Sequence, residues 1–134
     1  MRPWIFSFAA GIGISVLVAH AHHSIAGVYD SSRQVTIEGV VTEFHFINPH
    51  PFLTIAVKND SGSAQWRLEM DNRWELVDAG MTNQTLKQGD RIVVSGSPAR
   101  TQSQSLYIMK LDRPADGFRY EQIGSSPRIH VPGR

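Results

Sequence analysis

The 134-residue chain contains no cysteine. Disulfides, thiolate zinc sites, iron–sulfur clusters, cysteine nucleophiles and cysteine-linked lipid anchors are therefore excluded. Net charge is also scarce: 13 Lys and Arg stand against 12 Asp and Glu, a formal +1. Nucleic-acid-binding domains usually carry a basic patch and a high pI, so near-neutrality argues against that class. Long hydrophobic runs are missing too. The longest, residues 4–18, holds fifteen uncharged residues, short of the ~20 that a membrane-spanning helix needs.

That short run has a different use. Met1-Arg2-Pro3 gives a positive start, residues 4–18 an apolar stretch, and Ala19-His20-Ala21 the small-x-small pattern read by signal peptidases. The three parts together predict a cleaved secretory signal peptide over residues 1–21. The mature chain then begins at His22, has 113 residues, is formally neutral and is about 36% hydrophobic. A domain of this size buries about two-thirds of its unfolded surface and folds without disulfides. An exported chain without cysteine fits a bacterial periplasm, and nothing in it spans a membrane after cleavage.

Residues 22–33 read as an N-terminal arm, and residues 34–111 as a mainly β domain. Residues 34–47 are β-branched and aromatic, with Val35 and Ile37 at one parity and Val40, Phe44 and Phe46 at the other. Gly39 stands at the switch, which predicts a bulge there. Asn48-Pro49-His50-Pro51 ends that strand. Strands are expected over 52–57, 65–69, 91–95 and 106–111, with Trp66 and Leu68 on one side of the third. Asn72 is the expected N-cap of a short helix, Glu75 its capping-box partner and Gly80 its stop, with Trp74, Leu76 and Val77 as apolar contacts. The order β1-β2-β3-α-β4-β5 after a long bent first strand suits a small five-stranded OB-like barrel, with a β-sandwich or roll as the rival. Pro114, Pro127, Pro132 and three glycines predict a loose tail over residues 112–134.

Histidines carry the chemical signal. After cleavage His22 would offer one metal both its α-amine and its own imidazole, a nitrogen pair suited to copper. His23, at the second position, is the substitute. His45, between Phe44 and Phe46, and His50, in the proline-flanked turn, are the candidate further ligands. About twelve residues separate His22 from the first strand, a reach of up to ~40 Å. Each histidine also has an ordinary reading: a solvated residue for His45, a turn hydrogen bond for His50. Trp66 and Tyr107 could stack a sugar or peptide on a barrel face, although core packing is the commoner use of such rings. No Ser-His-acid set, paired-carboxylate site or phosphate loop emerges, so no catalytic residue is assigned.

These residues resemble a bacterial family of small periplasmic proteins without an established function. The resemblance is carried by Ala21-His22-His23-Ser24, Val35-Thr36-Ile37-Glu38-Gly39-Val40-Val41 and Asn48-Pro49-His50, then by Leu86-Lys87-Gln88-Gly89-Asp90 and Gly96-Ser97-Pro98-Ala99-Arg100. It covers about residues 21–111. Gln88 stands where such chains often have proline, and Ile25 where phenylalanine is common. The resemblance implies a periplasmic setting and an early cut, and it implies no reaction.

The resulting expectation is an exported periplasmic binding protein, not an enzyme, with copper at His22, His23, His45 and His50 as the metal to test. The alternative is an OB-like module that binds a sugar, a peptide or an envelope protein through Trp66 and Tyr107 without metal. A copper oxidase built on a histidine brace is a third, weaker reading.

Overall fold

The computed structural model describes residues 25–133. The predicted signal peptide over 1–21, the cut after Ala21, and His22 and His23 lie outside the described residues.

Strand β1 (Val35–His45) is long because it serves two partners. Its first half pairs with β4 (Arg91–Pro98) and its second half with β2 (Phe52–Asn59), both antiparallel. β2 returns through the turn at Asn59-Asp60-Ser61 into β3 (Gly62–Glu69), where the Asn59 side chain accepts from the Ser61 amide at 3.1 Å. β5 (Ser105–Arg113) pairs antiparallel with β4 and, at its start, parallel with β3 through Arg67↔Ser105, Leu68↔Leu106 and Glu69↔Tyr107. This last pairing closes a five-stranded barrel of the expected OB type. Leu53, Ile55, Leu68, Ile92, Val94, Leu106 and Ile108 fill its interior.

The parity switch in β1 lies elsewhere than expected. Val35, Ile37, Gly39 and Val41 alternate inward without a break, and the register shifts between Val41 and Glu43. Thr42 is the extra residue, and its hydroxyl donates to the Thr54 carbonyl at 2.9 Å. Gly39 has another job. A Cβ there would lie 2.7 Å from the Ala56 carbonyl oxygen, so only glycine allows β2 to approach this closely.

Helix α2 (Arg73–Asp78) starts as expected, with the Asn72 side chain accepting from the Glu75 amide at 3.0 Å. Its apolar face is narrower than expected. Leu76 is buried in the core, whereas Trp74 is 72% exposed and Val77 41%.

Both flanks of the barrel depart from the expected domain limits. Residues 25–33 are docked rather than free: α1 (Ile25–Val28) makes one turn, and Tyr29 pairs with Ala99. The Asp30 amide donates to the Pro98 carbonyl and the Arg100 amide to the Val28 carbonyl, each at 2.9 Å. The tail over 112–134 is not loose. β5 runs on to Arg113, β6 (Phe118–Ile123) pairs with it, and β7 (Ser126–His130) completes a hairpin. Phe118 and Tyr120 are fully buried in the common core, and Ile129 packs against it. Proline is compatible with this because Pro127 sits on the outermost strand. Gly124 turns the hairpin at φ 60°, a conformation in which a side chain is strained.

The buried hairpin gives a direct prediction. Phe118→Ala will lower the free energy of unfolding in urea by about 3–5 kcal/mol, the cost of emptying a packed aromatic site. A loose tail would give a change within about 0.5 kcal/mol.

Candidate functional site

The two described candidate ligands have local duties. His45 lies on the outer face of β1, with Nε2 2.7 Å from Glu43 Oε2 and its ring stacked on Phe52 at 4.3 Å. The Arg67 guanidinium lies 3.4 Å from the centroid of the same Phe52 ring. His50 Nδ1 lies 3.1 Å from the Met70 carbonyl oxygen. A carbonyl only accepts, so Nδ1 is the donor in this bond. Among the described residues, no group of three or more His, Asp and Glu is arranged to hold a metal ion. His45 and His50 thus do not form a metal centre by themselves. Docking of Tyr29 also shortens the leash ahead of the barrel. His22 stands three residues before Ile25, which limits its reach from that point to about 10 Å instead of ~40 Å.

Trp66 and Tyr107 fall on opposite faces of the barrel wall. Trp66 pairs with the buried Ile55 and packs against the core. Tyr107 pairs with Ser97 and Glu69 and points outward, under the docked segment. They do not form one ligand face.

What the docked segment creates is a cavity of about 390 Å³ against the outside of the barrel. Ile25, Ala26, Tyr29 and Ser31 form one wall. Ser97 of β4 and Tyr107 and Met109 of β5 form the floor, and Gly124 and Ser125 of the β6–β7 turn close one side. Met109 points here because it is the unpaired residue at the β4–β5 bulge, between Ile108↔Gly96 and Lys110↔Ser95. Tyr29 is held by its hydroxyl, which donates to Glu69 Oε2 at 2.5 Å, and its ring centroid lies 5.7 Å from that of Tyr107.

Asp71 supplies the cavity's carboxylate and is only 9% exposed. Oδ1 accepts from the Asn72 amide at 2.7 Å, and Oδ2 accepts from Gln122 Nε2. Gln122 also donates to the Gly124 carbonyl at 3.1 Å and accepts from the Tyr120 hydroxyl at 2.6 Å. Both carboxylate oxygens are thus occupied by amide donors.

The neighbours register that carboxylate. Burial, then hydrogen bonding to Asp71 and repulsion from it, pushes the Glu75 carboxyl above its ordinary range. One Glu75 oxygen is buried without a partner among the described residues. Burial, then the Asp71, Glu69 and Glu75 carboxylates, pushes the Tyr107 phenol upward, which keeps it a neutral donor. Tyr107 makes no side-chain hydrogen bond among the described residues and lines the cavity.

Sequence reasoning passed over most of this constellation. Asp71 reads as an ordinary strand-end acid, Tyr29 as part of an arm, and Gln122 as part of a tail. The alternation of Phe118, Tyr120 and Gln122 was the available signal that β6 is a half-buried strand.

Residues 12–106 match DUF6152, a family of unknown function. The chain belongs to DUF6152. Tyr29, Asp71 and Ser97 fall inside the matched segment of this DUF6152 chain, while Tyr107, Met109 and the whole β6–β7 hairpin lie beyond it. A comparison with curated protein sequences returned no match. Solved structures of TiaS are similar in part. The ZRD-deleted mutant with agmatine is 20% identical, with a TM-score of 0.44, over 76% of this chain and 26% of that one. The complex of TiaS with a tRNA and ATP gives 20% identity and a TM-score of 0.45 over 79% and 24%. The complex with the tRNA, AMPCPP and agmatine gives 17% and 0.44 over 79% and 28%. The DUF6152 chain thus spans about a quarter of the length of those proteins.

The raised Glu75 pKa has a definite sign. Its ionised form is disfavoured in the folded state, so this group's contribution to stability is intact below about pH 4.5 and is lost as pH rises through the folded value. Glu75→Gln, which retains a donor for Asp71, will raise the urea midpoint at pH 7 relative to the parent. The gain will vanish below pH 4.5. An unchanged or lowered midpoint at pH 7 contradicts the assignment.

Proposed function

We propose that this DUF6152 chain is an exported periplasmic binding module, not an enzyme, and that it holds a small ligand between its docked N-terminal segment and the outside of the barrel. The observation that carries the reading is the cavity itself. Its volume of about 390 Å³ lies within the 300–1,000 Å³ usual for small-molecule sites, and it combines apolar walls with a few fixed polar groups. The three-part start of the sequence supports export.

A fragment screen by ¹H–¹⁵N NMR tests this reading. Bound fragments are expected to move the amides of Met109, Gly124 and Ser125. Ala26→Trp, placed at the exposed mouth, will abolish those shifts while leaving the thermal midpoint within about 2 °C. Shifts that survive the plug, or that lie elsewhere on the barrel, refute the cavity as the site.

Copper at the mature N-terminus is the second reading. What favours it is that Ile25 and Ala26 line the cavity, so a His22 α-amine would lie within about 10 Å of Ile25. His23 is the alternative ligand, and His50 would offer Nε2, its Nδ1 being engaged by the Met70 carbonyl. Copper(II) titration of the mature chain, its start fixed by intact mass, will give one site with nitrogen hyperfine lines in EPR. Adding one residue before His22 will weaken that site ten-fold or more, about 1.4 kcal/mol. Equal affinity and stoichiometry with and without the extra residue would sink the N-terminal chelate.

A further inference from the structure

We propose that the cavity takes a small organic cation: an ammonium group against Asp71 and the Tyr107 hydroxyl, carried on an apolar stem that lies against Ile25, Ala26 and Met109. The inference rests on reading this cavity as the ligand site, and it fixes the chemical class of the guest.

The charge balance points one way. Among the described residues, the lining contains one carboxylate, Asp71, and no lysine or arginine. Glu69 adds a second carboxylate beside Tyr107 on the outer face, where it accepts from the Tyr29 hydroxyl. The arginines that touch this region are engaged: Arg100 donates to the Ala26 carbonyl and faces Asp30, while Arg67 stacks on Phe52. An anion entering here would meet like charge without a counter-ion. A neutral guest could use the Tyr107 hydroxyl but would bring no charge to offset the Asp71 side of the lining. An ammonium group satisfies both, and the Tyr29 and Tyr107 rings, 5.7 Å apart, add surfaces that attract cations.

A bare metal ion fits less well. Divalent calcium or magnesium takes six or more oxygen ligands, and among the described residues no three acidic or imidazole groups converge. The apolar share of the lining also has no use for a hydrated ion. Ile25, Ala26 and Met109 offer hydrocarbon and thioether surface at the mouth, which suits an alkyl or aryl stem.

A matched set of probes tests the charge alone: 2-phenylethylammonium, 2-phenylethanol and 3-phenylpropanoate. Each is titrated into the ¹⁵N-labelled mature chain up to about 10 mM, a range that captures affinities near 1 mM. The ammonium is expected to shift the Met109, Gly124 and Ser125 amides with a Kd at least ten-fold below that of the alcohol, and the carboxylate to leave them unmoved. The preference for ammonium over alcohol will collapse in Asp71→Asn. Because that change also touches the Gln122 and Asn72 bonds, Tyr107→Phe serves as the second variant, and it will weaken ammonium binding about three-fold while keeping the fold. Alcohol or carboxylate binding at the same amides as tightly as the ammonium overturns the cation class and leaves the cavity reading standing. No shift at those amides from any probe overturns both.

Discussion

Burying a carboxylate without donors costs more than a small domain can spare, because the ion loses its water and gains nothing in return. Asp71 stands where this constraint bears on the whole molecule, after the end of β3 and just before the N-cap of α2. The Asn72 amide satisfies one oxygen locally. The other is reached from β6, by the Gln122 amide. Gln122 is in turn held on all sides, by the Tyr120 hydroxyl on its oxygen and by the Gly124 carbonyl on its nitrogen. The β6–β7 hairpin is therefore a structural counterpart of Asp71 rather than an appendage. Phe118 and Tyr120 fix it from the apolar side. Arg113 fixes its start by bonding Asp90, Asp116 and the Thr85 carbonyl.

The barrel was legible from pattern because its strands obey local rules. Inward alternation, the turn at Asn59-Asp60-Ser61, and the Asn72 cap each depend on residues close in sequence. The bulge in β1 was misplaced because two different requirements look alike in one dimension. A glycine at a parity switch suggests an extra residue, but Gly39 exists to admit the Ala56 carbonyl, a contact with another strand. The extra residue is Thr42, whose hydroxyl compensates the disrupted ladder. The tail failed for a related reason. Pro114, Pro127 and Gly124 signal breaks wherever they occur, yet here they occupy turns and the outermost strand of a hairpin.

The site was less legible than the fold, and the histidines drew attention because their chemistry is visible without neighbours. His45 is absorbed into a surface row with Glu43 and Phe52, and His50 into the Met70 carbonyl. Trp66 turned inward and Tyr107 outward because one step along a strand reverses the face. The chemistry of the cavity comes instead from groups far apart in sequence. Tyr29, Asp71 and Tyr107 meet only because β3 and β5 pair in parallel at the barrel's closure, which brings Glu69 beside Tyr107 and beneath the Tyr29 hydroxyl.

The wall of the cavity is held differently from its floor. The floor belongs to β4 and β5, whose opening would unravel the barrel. The wall is a short segment anchored by the Tyr29 ring, its hydroxyl bond to Glu69, and two backbone bonds, to Pro98 at the end of β4 and to Arg100 just beyond it. Burying one such side chain contributes about 1.5–3 kcal/mol, and each hydrogen bond about 1 kcal/mol net. The sum, about 4.5–6 kcal/mol, reaches only the low end of the ~5–15 kcal/mol that holds a domain of this size together. These few contacts tie residues 25–33 to the barrel more weakly than the paired ladders tie β4 to β5, so this segment sits at the low end of the molecule's local stabilities.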